Sequence, residues 1–340
     1  MNNADQLQAL LSLTDERSRP NINALWRIAK DMDALRLNLK FFGYQLAEQL
    51  AEALPVREGL APQIVGLGSK ACTQEDMESD WLAYWCGELK IPLIFHRKIW
   101  ELAYALQALH EAGKIAPGAR GLGFGCGEEP IASYLASKGL SVTITDLPPA
   151  DRKVSGWANT HQHAGDLRRA HHARLVDLET FEQRASLEYV DMNDIPSALR
   201  GYDVCWSICA FEHLGSIQRG LDFVENALAP LKPGGVAVHT TEFNYFNDKE
   251  TLDNWPTVLF QQRHFRELAG RLEQKGHKVA PLDFRVGSKP MDRFIDVPPW
   301  VHDWPEDARP DWMTSGGHLK VCIDGFPCTC FGLTITKASA

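Results

Sequence analysis

The chain has 340 residues, of which 44% are hydrophobic and 23% are charged. This composition is ordinary for a globular protein, and the length allows one large domain or a core domain with an extension. The 44 acidic residues outnumber the 35 basic ones and give a formal net charge of -9. Because proteins that bind nucleic acids concentrate positive charge, this balance argues against DNA or RNA as a partner.

The apolar segments and the first residues bear on the location of the protein. No apolar run approaches the length of a membrane span, so we expect no insertion into a membrane. The N-terminal sequence MNNADQLQ lacks the basic and then apolar pattern of a signal peptide. We therefore expect a cytoplasmic protein.

Eight cysteines are scattered through predicted strands and turns, without the short, regular spacings of a disulfide framework. We therefore expect reduced thiols. Cys322, Cys328 and Cys330 lie on an alternating strand pattern and lack a second pair of ligands, so they are poor candidates for a metal cluster. The sequence predicts no metal site.

Residues 1–115 lack the alternation of strands and helices that follows. Within them, residues 21–54 have apolar side chains at steps of three and four, which predicts one or two amphipathic helices. We expect residues 1–115 to form a helical cap or lid on a domain that spans residues 116–340, and their apolar side is a possible homodimer contact. The apolar positions are Leu25, Ile28, Met32, Leu35, Leu39, Phe42, Leu46, Leu50 and Leu54.

Three basic residues, His96, Arg97 and Lys98, begin a predicted helix over residues 99–112. Cations are unfavourable at the N-terminus of a helix, where the dipole is positive. Their placement therefore suggests a function such as binding a carboxylate, and Arg97 is a candidate substrate-binding residue.

Strand patterns alternate with helix patterns from residue 119 onward. This alternation predicts a doubly wound α/β sheet, and the last two strands predict a C-terminal antiparallel hairpin. The predicted strands cover residues 119–124, 141–146, 186–191, 203–208, 235–241, 278–284, 318–323 and 329–336, and the predicted helices cover residues 130–138, 153–182, 214–230 and 263–275.

The turn Gly125-Cys126-Gly127 lies between the first strand and the first helix of this sheet. Open α/β sheets bind their ligands at the carboxyl ends of the strands, next to such a turn. Asp146 ends the second strand 21 residues after Gly125, where an acid can accept hydrogen bonds from both ribose hydroxyls of an adenosine. We therefore predict a nucleoside site that includes these four residues and Leu147.

Two acidic residues, Glu128 and Glu129, occupy the first turn of the following helix. Carboxylates there suit the helix dipole but repel a phosphate, whereas a dinucleotide site places its pyrophosphate at this position. The sequence therefore favours an adenosine without phosphates and with positive charge, a description that S-adenosyl-L-methionine meets through its sulfonium and ammonium groups. A nicotinamide-dependent oxidoreductase would share the sheet but is disfavoured for the same reason.

Polar residues also follow the third and fourth strands. Asp191 is placed to accept a hydrogen bond from an adenine amino group while Met192 packs on the ring, and a turn or helix cap is the alternative. Glu212 and His213 follow the fourth strand and face the same crevice, where either is a candidate general base. For Glu212, capping the next helix is the alternative.

The ends of the fourth and fifth strands supply the remaining candidates. Ser207 and Cys209 belong to the predicted cofactor site. His239, Glu242 and Asn244 cluster at the end of the fifth strand, as the polar groups of a substrate pocket do.

Several of these features, in this order, resemble the class I S-adenosylmethionine-dependent methyltransferases: the glycine turn, Asp146, Asp191-Met192, the turn after the fourth strand, the sequence LKPGG and the final hairpin. The resemblance implies a Rossmann-like sheet over about residues 115–340. It also implies that residues 125–127 line the methionine part of the cofactor, that Asp146 binds the ribose, and that Asp191 and Met192 bind the adenine.

The same family usually has an acid two residues before its first turn glycine and a third glycine two residues after the second. Here those places hold Gly123 and Glu129. Glu128 or Glu129 is therefore a candidate for the contact with the ammonium group of the cofactor.

Residues 207–215, SICAFEHLG, also resemble the corresponding stretch of cyclopropane fatty acid synthases, which alkylate a lipid double bond. The sequence thus predicts a methyltransferase that methylates an oxygen or nitrogen of a small molecule or a sugar or glycan. Carbon methylation or cyclopropanation of a lipid is one alternative. A non-catalytic scaffold that binds the cofactor is another.

Overall fold

Helices cover both faces of a single mixed sheet. The structure, a computed structural model, describes residues 12–149, 163–300, 312 and 316–339. The helices are α1 (Ile22–Glu52), α2 (Gln74–Met77), α3 (Asp80–Leu89), α4 (Arg97–Glu111), α5 (Ile131–Ser137), α6 (Leu178–Arg184), α7 (Ile217–Asn226), α8 (Gln262–Gln274) and α9 (Pro290–Arg293), with short 3-10 helices at Leu167–Ala170 and Phe211–His213. The strands are β1 (Ser69–Ala71), β2 (Arg120–Phe124), β3 (Ser141–Asp146), β4 (Ala185–Tyr189), β5 (Tyr202–Ile208), β6 (Leu231–Asn244), β7 (Lys278–Val279), β8 (Leu282–Asp283), β9 (Ile295–Asp296), β10 (Lys320–Ile323) and β11 (Phe326–Thr336). None of the described helices combines the length with the apolar composition that a bilayer span requires.

The sheet has the order β4-β3-β2-β5-β6-β11-β1-β8. Neighbours among β2 to β6 are parallel, and β11 runs antiparallel to β6. The order reverses at β2, since β3 and β4 lie on one side of it and β5 and β6 on the other. This confirms the predicted doubly wound sheet, whose switch point lies at the carboxyl ends of β2 and β5.

Both faces of the parallel strands are buried, which explains why these strands have continuous apolar runs. Successive side chains of a strand point to opposite faces. Trp206 and Val238 accordingly pack in the core beneath α4 and α5, whereas Cys205 and Ala237 pack in the core beneath α7 and α8.

The C-terminal hairpin is formed by β10 and β11, with Ile323 opposite Phe326. Its turn is shorter than the gap between the predicted strands, because only Asp324 and Gly325 lie between β10 and β11. Both have positive φ angles, 47° and 88°, as a tight two-residue hairpin turn requires. From Cys328 onward, β11 pairs with β6.

The predicted helix over residues 153–182 is confirmed only at its end, where α6 covers residues 178–182, and it is wrong over residues 163–177. Residues 150–162 lie outside the described residues, and residues 163–177 form loops and the 3-10 helix. The amide of Ala164 donates to Asp146 over 3.0 Å, and that of His172 donates to Ser133 over 2.9 Å. These tertiary hydrogen bonds replace the bonds that a helix would make.

The predicted strand over residues 278–284 is divided into β7 and β8. Pro281 lies between them and has no amide hydrogen for a strand ladder. Its carbonyl instead accepts a hydrogen bond from Ser69 over 3.0 Å, next to β1.

The N-terminal part contributes both a long helix and a strand. The predicted helical segment is one continuous helix, α1. Strand β1 pairs with β11 in the antiparallel direction, with Lys70 opposite Gly332. The sheet therefore includes residues from before position 115, and the division into residues 1–115 and 116–340 stays a prediction.

A buried ion pair attaches α1 to the rest of the chain. Lys40 and Asp296 have no exposed side-chain surface, and Lys40 Nζ lies 2.7 Å from Asp296 Oδ1. The other carboxylate oxygen accepts a hydrogen bond from the Tyr44 hydroxyl over 2.8 Å and lies 2.8 Å from His318 Nδ1. Because every charge in this group has a partner, the group tolerates burial.

We expect Lys40→Ala to destabilise the protein by about 3–5 kcal/mol, because it leaves the buried Asp296 carboxylate without its cation. The exposed Lys30, which lies 3.8 Å from Asp33 on the same helix, provides the control. Lys30→Ala should change stability by less than about 0.5 kcal/mol. Urea unfolding followed by circular dichroism measures both, and equal stabilities for the two variants would contradict the role of the ion pair.

Candidate active site

The glycine turn after β2 packs closely against the turns after β4 and β5. Gly125 and Gly127 have φ angles of 57° and 52°, a region that glycine adopts without strain. A Cβ on Gly125 would lie 2.9 Å from Ala210 Cβ and 3.3 Å from Met192 Sδ. The switch point thus brings together backbone from three successive loops.

Gly123, the position where the resembled family has an acid, has no space for a side chain. A Cβ there would lie 2.2 Å from Cys126 Sγ and 2.5 Å from the Trp206 ring. The thiol of Cys126 therefore points back beneath the turn, and only the backbone of Cys126 is available to a ligand.

Asp146 lies against the glycine turn at the end of β3. Its carboxylate accepts hydrogen bonds from the amides of Gly127, Leu147 and Ala164 at 3.2, 2.9 and 3.0 Å. Burial raises the pKa of Asp146, and these hydrogen bonds oppose the rise. The predicted ribose-binding acid is therefore next to the predicted turn and fixed in orientation.

Asp191 and Met192 follow β4. Asp191 Oδ1 accepts hydrogen bonds from the amide and the side chain of Asn193, at 2.8 and 3.0 Å. This is the turn role that the sequence leaves as an alternative. Met192 is buried beside the glycine turn, where its side chain can contact a base.

Glu128 and Glu129 point in different directions. Glu128 forms an ion pair with Arg169 at 2.6 Å near the surface. The Oε2 atom of Glu129 is buried and has no hydrogen-bond partner among the described residues. Burial raises the pKa of Glu129 well above its ordinary value, and Lys98 opposes that rise.

Arg97 forms an ion pair with Glu242, the last acid of β6. The carboxylate that Arg97 binds in this structure is thus one of the chain's own. The Arg97 Nη1 atom also lies 3.3 Å from Cys330 Sγ. The Nε atom of Arg97 and the Oε2 atom of Glu242 are buried without a hydrogen-bond partner in the described part of the chain, so both can still bind another molecule.

Glu101, one turn further along α4, lies beside Arg97 and Lys98 and is a candidate site residue that the motifs in the sequence do not include. It is fully buried and accepts hydrogen bonds from the Thr240 hydroxyl over 2.6 Å and the Cys330 thiol over 2.8 Å. Burial acts to raise the pKa of Glu101, but Lys98 and Arg97 outweigh it and lower the pKa. An acid on the apolar side of an amphipathic helix is the signal that identifies it.

The adjacent residues Glu212 and His213 have separate surroundings. Glu212 is buried and accepts a hydrogen bond from the Thr241 hydroxyl over 3.0 Å. Burial raises the pKa of Glu212, Glu242 raises it further, and His213 and Lys98 oppose the rise. The Nδ1 atom of His213 instead lies 3.1 Å from the carbonyl oxygen of Pro256.

The side chains of His239, Ser207 and Asn244 lie outside the crevice, by which we mean the space around Glu101, Glu129, Glu212 and Glu242. His239 has no exposed surface, its Nδ1 atom lies 2.7 Å from the Ser207 hydroxyl, and Phe211 and Phe223 flank its ring. Burial lowers the pKa of His239 to about 3. The side chains of Ser207 and His239 thus belong to the core beneath α7, which does not match the predicted contacts with cofactor and substrate.

The side chain of Asn244 stabilises the loop that follows β6. Its amide nitrogen donates to the carbonyl of Glu250 over 3.1 Å, and its oxygen accepts from the amide of Phe246 over 3.1 Å. The side chain of Asn244 is thus buried and has partners within its own loop, and its contact with substrate stays a prediction.

Cys209 and Cys330 lie close together, with 3.8 Å between their sulfur atoms. With Glu101 they form a group whose potential ligand atoms lie within 4.8 Å of one another. Arg97 and Lys98 already supply positive charge to this group, at 3.3 Å from Cys330 and 3.5 Å from Glu101. We therefore assign no metal to it.

The protein resembles known structures and a known family. No curated protein matches the sequence. A solved structure of a proposed sarcosine dimethylglycine methyltransferase from Galdieria sulphuraria is 16% identical, with a TM-score of 0.43 and coverage of 76% of this chain and 99% of its own. The [4+2]-cyclase SpnF is 15% identical, with a TM-score of 0.42 and coverage of 71% of this chain and 83% of its own. A proposed S-adenosylmethionine-dependent methyltransferase from Listeria monocytogenes is 17% identical, with a TM-score of 0.38 and coverage of 69% of this chain and 100% of its own.

A family model described as a methyltransferase domain matches residues 96–280. This range is more than half of the chain, and it contains the glycine turn, the charged start of α4 and the ends of β5 and β6. The chain therefore belongs to this methyltransferase family, and it is an S-adenosyl-L-methionine-dependent methyltransferase.

Proposed function

We propose that the enzyme methylates a nitrogen or oxygen atom of a small molecule or glycan, with Glu212 as the general base. The observation that carries this proposal is a set of buried carboxylates around one crevice. Two of them, Glu129 and Glu242, have an Oε2 atom without a hydrogen-bond partner in the described residues. Because a buried acceptor without a donor is unfavourable, these two oxygens suit the N–H or O–H groups of bound molecules.

The residues around the glycine turn fit the cofactor. The unpartnered oxygen of Glu129 suits its ammonium group, and the backbone from Gly125 to Gly127 would line its methionine part. Asp146 would bind the ribose, and Met192 would pack against the adenine. When bound, S-adenosyl-L-methionine supplies an electrophilic methyl group on a sulfonium.

The charges of the crevice support a polar acceptor. In the part of the chain that the structure describes, the Arg and Lys side chains near the four carboxyl groups of Glu101, Glu129, Glu212 and Glu242 are Arg97 and Lys98. A site with an excess of carboxylates favours molecules with hydrogen-bond donors over the double bond of a lipid chain.

Glu212 is suited to remove a proton from the acceptor. Its raised pKa makes it a stronger base than an exposed glutamate, and the Thr241 hydroxyl holds one of its oxygens. Arg97 fixes one oxygen of Glu242 and leaves the other to orient the acceptor. Holding both reactants in such an arrangement can be worth about 7–11 kcal/mol.

We expect Glu129→Gln to weaken binding of S-adenosyl-L-homocysteine about 10- to 100-fold, because the variant loses a charge-assisted hydrogen bond to the ammonium group. Isothermal titration calorimetry measures the affinity without need of an acceptor. Glu128→Gln is the matched control, since Glu128 pairs with Arg169 near the surface, and its affinity should be unchanged. Equal affinities for both variants would remove Glu129 from the cofactor site.

We expect Glu212→Gln to lower kcat about 100- to 10,000-fold and to leave cofactor affinity unchanged. The base acts only when deprotonated, so the wild-type rate should fall as the pH falls through the raised pKa of Glu212. That fall should begin at higher pH than for an ordinary glutamate, whose pKa is about 4.3, and the Gln variant should lack it.

The measurement is formation of S-adenosylhomocysteine with a panel of small amines, phenols and sugars, at a series of pH values. His213→Gln serves as the comparison. If the His213 variant loses the pH-dependent activity and the Glu212 variant keeps it, the base is His213 and the proposal for Glu212 is wrong.

A further inference from the structure

The first two thirds of α1 carry an exposed apolar surface. Within the described residues, nine of the 16 exposed large hydrophobic side chains belong to this helix. Continuous apolar surfaces of this kind mark interaction sites on soluble proteins. Six of these side chains, each at least 40% exposed, form a row along the helix, the apolar stripe: Leu25, Ile28, Met32, Leu35, Leu39 and Phe42.

The apolar stripe advances in alternating steps of three and four residues. These steps give the a and d positions of a heptad repeat, with Leu25, Met32 and Leu39 at a. A period of 3.5 residues keeps a stripe against a partner helix when the two helices supercoil. At 1.5 Å per residue, the stripe is about 26 Å long.

The helix packs on its own chain through other positions. The buried residues of α1 are Lys40, Gly43, Tyr44 and Ala47, which take heptad positions b, e, f and b. The contact of α1 with its own chain therefore leaves the six side chains of the apolar stripe at the surface.

A groove beside the apolar stripe extends this surface. It has a volume of about 520 Å³ and separates the stripe from β9 and the C-terminal hairpin. The groove is lined by Met32, Leu35, Arg36 and Leu39 of α1 and, from the rest of the chain, by Val297, Pro298, Cys322, Asp324 and Gly325.

Charges beside the stripe determine which partner helix fits. Asp31 takes position g and Arg36 takes position e of the next heptad, five residues later. In a parallel coiled coil, position g of one helix faces this position e of the other. In a parallel pair of α1 helices, Asp31 of each copy therefore faces Arg36 of the other. In an antiparallel pair, position g faces g and e faces e, so like charges meet.

From this pattern we propose that two copies of the chain form a homodimer through a parallel two-stranded coiled coil of their α1 helices. The two-fold axis runs along the apolar stripe, so the same surface of each copy is buried.

A membrane surface fits this helix less well. Interfacial helices usually have a polar face rich in Lys and Arg. Between residues 22 and 39, α1 has three basic residues and two acidic ones, and the whole chain has a net charge of -9. Anionic lipids would therefore gain little from this surface.

Sedimentation equilibrium of the full chain tests the proposal, and the expected mass is twice that of the 38.0 kDa chain. Leu35→Glu places a charge in the seam and should raise the dimer dissociation constant by a hundredfold or more, on the order expected for a central contact. Ala34→Glu adds the same charge at an exposed position outside the seam, and should leave the dimer intact. Both variants should keep the wild-type circular dichroism spectrum, since neither position is buried within the chain.

A charge exchange tests the parallel register. Asp31→Arg should weaken the dimer about tenfold at low salt, because it places two cations together on each side of the seam. Adding Arg36→Asp to the same chain should restore the wild-type affinity. An antiparallel pair would not respond in this way, because its like charges would remain together in all three proteins.

Three results would overturn the proposal. They are a monomeric wild-type chain at tens of micromolar, a dimer that Leu35→Glu leaves unchanged, and an exchange variant that does not regain affinity. Co-sedimentation of a monomeric wild-type chain with phosphatidylglycerol vesicles would assign the apolar stripe to a membrane surface instead.

Discussion

The proposed active site depends on the balance between buried carboxylates and two cations at the N-terminus of α4. Arg97 and Lys98 begin α4, where the helix dipole disfavours cations, and the acids around them reverse that preference. Glu242 forms an ion pair with Arg97, and Glu101 forms one with Lys98. Within the described residues, Glu129 and Glu212 form no ion pair with an Arg or Lys side chain, and burial raises the pKa of both. The remaining charge imbalance is what a cationic cofactor and a hydrogen-bonding acceptor can correct.

The position of Glu129 follows from the packing under the glycine turn. Cys126 and Trp206 fill the space beside Gly123, so an acid on the first strand of the sheet cannot fit there. A carboxylate just before α5 reaches the same turn from the other side, and a helix N-terminus favours negative charge. In the proposed cofactor site, an acid just before α5 thus takes the place of the strand acid, next to the same glycine turn.

The sequence predicts the sheet well because parallel strands and their helices have strong, separate patterns. It predicts the polar ends of β5 and β6 less well, because both faces of these strands are buried and alternation disappears. His239 and Thr240 are neighbours in sequence, yet only Thr240 faces α4, where it binds Glu101. Strand β1 has three residues, too few to produce a pattern, and the loop over residues 163–177 depends on tertiary hydrogen bonds that no local signal records.

The long helix and the active site are joined by a short series of contacts. Lys40 of α1 binds Asp296, and the same carboxylate contacts His318. The His318 ring packs on the His96 ring with 4.5 Å between ring centres. The backbone carbonyl of His318 accepts a hydrogen bond from the amide of Arg97 over 2.9 Å. Arg97 then binds Glu242 in the crevice. Since these contacts are contiguous and mostly buried, we expect a change that displaces α1 to act on the start of α4 and on the cation that orients Glu242.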